Sequence, residues 1–123
     1  MKKGKTHLRT GRQGEELAAQ YLLKKNYKII ERNFRVRPGE IDIIAHKDDE
    51  LVFVEVKTAR SEAFGSPETW ISRTKQQRLI RAAQLYLQQI CTREVACRFD
   101  VITVRLQRAE AKIEHIKDAF WVE

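Results

Sequence analysis

Cysteine occurs only twice in this 123-residue chain, proline twice and glycine five times. Cys91 and Cys97 form neither a disulfide framework nor a zinc pattern, because no second cysteine pair and no close histidine pair accompanies them. A reducing cytoplasm is the expected setting, with both cysteines acting as small buried apolar residues. So little glycine and proline excludes a low-complexity or collagen-like chain. No apolar run approaches the roughly 18 residues of a membrane span. The N-terminus also lacks the apolar stretch and small-residue cleavage site of a secretory signal, so no membrane partner is expected. His7, His46 and His115 are scattered and match no Ser-His-Asp or Cys-His spacing, which leaves nucleophilic catalysis unsupported. No glycine-rich phosphate loop or dinucleotide fingerprint is present.

Charge, by contrast, is abundant. Lys and Arg number 24 against 17 Asp and Glu, a formal charge of +7, while 42% of residues are apolar. A chain of this size buries roughly two thirds of its unfolded surface, enough for one domain without a structural metal. The charge is also unevenly placed. Residues 1–39 carry eleven basic and three acidic side chains, and residues 57–123 carry twelve and eight. Residues 40–56 hold Glu40, Asp42, Asp48, Asp49, Glu50 and Glu55 against Lys47 alone. An acidic centre inside a basic chain points to a polyanionic partner approached through the flanks.

Residues 1–10 include Lys2, Lys3, Lys5 and Arg9 and read as a flexible basic arm, followed by a single domain over 11–123. Leu17, Ala18, Tyr21 and Leu22 recur at helical spacing and predict a helix over about 11–25, with Asn26 as a left-handed C-terminal cap. Residues 27–35 read as a strand that Arg37-Pro38-Gly39 breaks. Residues 40–46 and 51–57 are runs dense in Ile and Val around a polar turn, the pattern of a hairpin. A loop over 58–69 is expected next. A second helix over 72–90 follows, with a stripe of Leu79, Ala83, Tyr86 and Ile90 that Ile80 and Leu87 widen. Strands over 95–106 and 112–117 complete an α/β domain, a mixed sheet flanked by helices. The terminal Phe120-Trp121-Val122 either closes the core or serves an interface, and Phe64 and Trp70 read as packing residues sooner than base-stacking ones.

A turn symmetric about Asp48 and Asp49 sets the hairpin register. Asp42 then lies opposite Glu55, and Glu40 opposite Lys57. Alternation puts Glu40, Asp42 and Ile44 on one face with Leu51, Phe53, Glu55 and Lys57, and leaves Ile41, Ile43, Ala45, Val52, Val54 and Val56 as an apolar face for the core. Two carboxylates with Cβ atoms about 5 Å apart repel by roughly 3 kcal/mol at an effective dielectric near 20. Protonation, splaying toward solvent or a divalent cation would relieve that repulsion. Asp100 reads as structural.

Asp42, followed after twelve residues by Glu55-Val56-Lys57, resembles the Asp…Glu-x-Lys signature of the PD-(D/E)XK nuclease superfamily, although Ile41 stands where the superfamily's name places proline. A longer set of segments resembles the small bacterial YraN-like family of endonuclease-fold proteins: Gly14-Glu15-Glu16-Leu17-Ala18, residues 39–44, residues 53–58, and Arg98-Phe99-Asp100-Val101-Ile102. That family is similar to archaeal Holliday junction resolvases.

The resemblance implies a restriction-endonuclease-like mixed β-sheet flanked by helices. It also implies a Mg²⁺- or Mn²⁺-dependent endonuclease acting on DNA, branched or structured, and working as a homodimer. Asp42, Glu55 and the Val56 carbonyl would hold the metal, with Glu15 supplied from the first helix. Lys57 would position or activate the attacking water. Glu40 stays open between a partner for Lys57, a metal ligand and an ordinary ion pair. Lys75, Gln77, Arg78 and Arg81 on the polar face of the second helix would meet phosphates or simply face solvent. The alternative is a nucleic-acid-binding module that keeps the fold without catalysing.

Overall fold

The structure is a computed structural model that describes residues 2–37, 39–60, 71–90 and 95–121, with only the backbone of 2–10. Pro38, Phe64, Trp70, Cys91, Val122 and most of the expected 58–69 loop lie outside the described residues.

Helix α1 (Lys2–Lys24) is followed by strands β1 (Lys28–Val36), β2 (Gly39–Lys47) and β3 (Glu50–Ala59), helix α2 (Arg73–Ile90), and strands β4 (Ala96–Leu106) and β5 (Ala111–Phe120). The helix α1 takes in residues 2–10, where the sequence led us to expect an arm outside it. Its C-terminus is capped as expected: Asn26 has φ 70°, and the Tyr27 N–H donates to the Leu22 carbonyl at 2.9 Å. At the start of α2 the Ser72 hydroxyl accepts from the Lys75 N–H at 3.1 Å, an N-terminal cap that fixes the first turn.

The five strands follow chain order, β1-β2-β3-β4-β5. Among the described strands only β3 and β4 pair in parallel, and α2 lies in their connection. The hairpin register is the expected one, from Lys47↔Glu50 to Ile43↔Val54, with Asp48 taking φ 55° in the turn.

Each helix covers one face of the sheet. Ala18, Ala19 and Leu22 of α1 pack on Ile43, Val52, Val54, Ile102 and Val104. Leu79, Ala82, Ala83 and Tyr86 of α2 pack on Ile44, Phe53, Phe99 and Phe120. The α2 stripe departs from expectation at its end, where Ile90 is half exposed. Phe120 closes the α2 layer by stacking on Phe99 at a centroid distance of 4.9 Å, whereas Trp121 is exposed. Cys97 is exposed, contrary to the expectation of burial, because β4 has only just begun there. The fold is α/β, a mixed sheet between two helices of the restriction-endonuclease-like kind.

Candidate active site

Besides the bulges in the β1–β2 and β4–β5 pairings, strict alternation fails in β1 and β2 at the rung beside the candidate site. Ile43 joins the α1 layer, but Ile41, two residues earlier, joins the α2 layer, against the expectation that both share a face. The same change occurs across the pairing. Arg32, opposite Ile43, bonds Glu16 of α1 at 2.9 Å, while Phe34, opposite Ile41, is buried in the α2 layer. Between them Asn33 takes φ 56°, a left-handed conformation that asparagine tolerates. Asn33 and Asp42 thus mark the point where both strands turn over.

The β2–β3 ladder ends at this same place, since its last pair is Ile43↔Val54. The next N–H of β3 on that edge, Val56, donates at 2.8 Å to Asp42 Oδ2. A side chain has replaced a ladder bond. The N–H and C=O of one strand residue point to the same side, so the Val56 carbonyl also faces the Asp42 edge.

Asp42 and Glu55 are 7% and 4% exposed. Burial, then the Glu55 charge, push the Asp42 carboxyl up to about 8, with the Val56 N–H opposing them. Glu55 Oε2 meets Lys75 Nζ of α2 at 2.6 Å. Burial works against the charged form of Lys75, but the bond to Glu55 outweighs it and holds the ammonium above its ordinary pKa. Lys57 titrates below its usual range because it is half buried and lies beside Lys75. From the other helix Glu15 closes the group. Burial raises its pKa against the pull of Arg32, and Glu40 and Glu55 raise it further. These side chains line a cleft of about 220 Å³ between the two helices. Glu15 is set there by Gly14, where a Cβ would overlap the Thr58 side chain of β3. Thr103, opposite Lys57 on β4, is fully buried, and its hydroxyl has no partner among the described residues.

The structure brings Glu15, Asp42, Glu55, Val56 and Lys57 to one cleft, although Glu15 does not group with Asp42 and Glu55 as a third metal-holding side chain, and it adds Lys75 from the polar face of α2. Its position in the first turn after the Ser72 cap was the available signal. Glu40 is near enough to act on the Glu15 charge but does not line the cleft: its carboxylate pairs at 3.0 Å with Arg35 of β1, not with Lys57, since the hairpin ladder has already ended. The remaining α2 residues divide. Gln77 and Arg81 line a groove of about 560 Å³ with Arg73, Gln84 and Trp121. Arg78 faces the start of β2, where a Cβ on Gly39 would come within 2.9 Å of its carbonyl oxygen.

His115 is not isolated, as the sequence had implied. It meets Asp100 Oδ2 at 2.7 Å and the Tyr21 hydroxyl at 3.2 Å. Asp100, fully buried, also accepts two bonds from Arg98 at 2.9 Å and one from the Asp118 N–H at 2.9 Å. Its polar capacity is used within the scaffold, which makes it structural, as expected.

The cleft's donors are hard oxygens: two buried carboxylates and a peptide carbonyl. Among the described residues no three His, Cys, Asp or Glu side chains group as a metal cage. That set suits Mg²⁺ or Mn²⁺, which take one or two carboxylates and retain water, and does not suit a closed zinc or calcium site.

Residues 14–104 match the model described as "Uncharacterised protein family UPF0102". A UPF0102 protein of Syntrophomonas wolfei is 51% identical over 107 residues, covering 87% of this chain and 93% of the relative. One of Chlorobium chlorochromatii is 52% identical over 119 residues, covering 92% of each chain. UPF0102 protein THEYE_A1950 of Thermodesulfovibrio yellowstonii is 47% identical over 111 residues, covering 90% of this chain and 95% of the relative. The match spans the helix that carries Glu15, the hairpin that carries Asp42, Glu55 and Lys57, and the α2 turn that carries Lys75, and by it the chain belongs to the UPF0102 family.

Proposed function

We propose that this protein is a Mg²⁺- or Mn²⁺-dependent endonuclease that hydrolyses phosphodiester bonds in DNA, with branched or structured DNA as the preferred substrate class. The observation that carries the reading is the pair of buried carboxylates, Asp42 and Glu55, held at the end of a broken ladder with Lys57 in the same cleft. A bare pair of this kind is unfavourable, and a divalent cation relieves it. When bound there, the ion would polarise a phosphoryl oxygen and lower the pKa of a water molecule.

The chain's own residues supply the rest. The Val56 N–H fixes the orientation of the Asp42 carboxylate, and the Val56 carbonyl offers a third oxygen on the same edge. Lys57 loses part of its hold on its proton through burial and through the Lys75 charge, which suits an amine that orients the attacking water and offsets charge building on the phosphate. Gln77 and Arg81, in the groove beside the exposed Trp121, offer donors to the strand flanking the scissile bond. A homodimer would serve a reaction that cuts two strands, and a DNA substrate accords with a cytoplasmic protein. No helix among the described residues is long and apolar enough to cross a membrane.

One observation favours a second reading, a non-catalytic nucleic-acid-binding module: Glu55 already has a counter-charge within the chain, Lys75. Incubation with junction, flap, single-stranded and duplex DNA plus Mg²⁺ or Mn²⁺ separates the two. The endonuclease cuts at least one of these, and Asp42→Asn, Glu55→Gln and Lys57→Ala each abolish cutting. Binding without cutting establishes the module. Variants that cut like wild type mean that the site is wrong.

A further inference from the structure

The Lys75–Glu55 contact joins an ammonium on a half-exposed helical turn to a carboxylate that is 5% exposed. It sits inside the cleft that would take the divalent ion, so the inference here rests on that reading of the site. Lys75 and the ion would compete for the same electron pairs of Glu55. With the ion present, its two charges, Lys57 and Lys75 would bring four positive charges to the three carboxylates of Glu15, Asp42 and Glu55, an excess that is relieved when one ammonium yields. Lys57 is carried on β3 within the sheet and half buried. Lys75 stands in the first turn of α2, its backbone fixed by Ser72 and its flexible stem open to solvent. The open side of the cleft is also the side from which a phosphate must enter.

We propose that Lys75 is a displaceable counter-ion: it holds Glu55 in place in the metal-free protein, yields that oxygen when a divalent cation binds, and is thereby released to meet the incoming phosphate. It lowers the affinity for metal and couples metal loading to substrate binding. The module reading treats the same contact as a permanent ion pair, and the two differ in what removal of Lys75 does to metal binding.

The test uses the full chain without DNA, titrated with Mn²⁺ while the free ion is followed by electron paramagnetic resonance. Lys75→Gln should bind Mn²⁺ about ten-fold more tightly than wild type, because a competing charge has gone from the carboxylates. Lys75→Arg keeps the charge and should bind no more tightly than wild type. Glu55→Gln should lose the site in every background, which shows that the ion counted is the one in the cleft. Equal or weaker binding by Lys75→Gln overturns the role of Lys75 and leaves the metal site standing. Absence of Mn²⁺ binding by both wild type and Lys75→Gln overturns the metal site and the counter-ion together.

Discussion

Asp42 illustrates how one side chain can stabilise a site and destabilise a fold. Burial, then the Glu55 charge, push its carboxyl up to about 8, whereas the ordinary value is 3.8. Between those two values the metal-free folded protein binds a proton that the unfolded chain lacks. Stability contributed by the neutral carboxyl is therefore fully present below the unfolded value and is lost as pH rises toward the folded one. Asp42→Asn keeps a neutral side chain of the same shape. With a chelator present, it should exceed wild type in stability near pH 8 by on the order of a few kcal/mol, and the gap should close toward pH 4. Urea unfolding across that range measures it. A gap that does not change with pH would show that Asp42 is ionised in the fold. Added Mn²⁺ should reverse the order at neutral pH, because only the aspartate gains a cation.

At the scale of elements, the position of the site follows from where α1 crosses β3. The two touch at Gly14, where a Cβ would overlap the Thr58 side chain, and the next residue of α1 is Glu15. Gly14→Ala must move the helix off the strand. We expect a loss of about 1–3 kcal/mol in chemical denaturation and a weaker divalent site, since Glu15 moves with the helix. Unchanged stability would mean that α1 does not press on β3 there. Much of this scaffold was legible in the sequence. The α1 stripe and its asparagine cap are helical periodicity and local backbone preference, and the hairpin register follows from symmetry about Asp48 and Asp49. The turnover at Asn33 and Asp42 was not legible, because alternation assumes a regular strand and the break depends on both neighbouring strands yielding at one rung. That break also separated Glu40 from Lys57 and sent it to Arg35. The contact of Lys75 with Glu55 was not legible for a related reason. Helical periodicity gives the face of α2 but not which sheet edge its first turn overhangs.

For the molecule as a whole, the carboxylate cluster and the Asp100 cluster are opposite solutions to the burial of acidic groups. In the first, burial and the neighbouring Glu55 charge disfavour the charged form of Asp42 more than its bond from the Val56 N–H favours it, a condition that suits binding of a cation. In the second, burial disfavours the Asp100 charge, but bonds from His115, Arg98 and the Asp118 N–H outweigh it and hold its pKa below the ordinary value. This cluster links the sheet to α1. Arg98 also donates to the Tyr27 hydroxyl at 2.8 Å and to Glu50 at 3.2 Å, and His115 reaches Tyr21 of α1. Removing the acid leaves Arg98, with 16% of its side chain exposed, as a buried charge without its main partner. Asp100→Ala should therefore cost about 3–5 kcal/mol, whereas replacing Asp100 and Arg98 together by apolar residues should recover much of that loss. The pH dependence has the opposite sign to that of Asp42. The contribution of Asp100 is fully present above the ordinary carboxylate value and is lost as pH falls through its depressed folded value, so acid unfolding should lose steepness in the Asp100→Ala variant. Denaturant titrations of the single and double variants measure both effects. A double variant no more stable than Asp100→Ala would show that Asp100 acts through its bonds to His115 and the Asp118 backbone, and not as the counter-charge of Arg98.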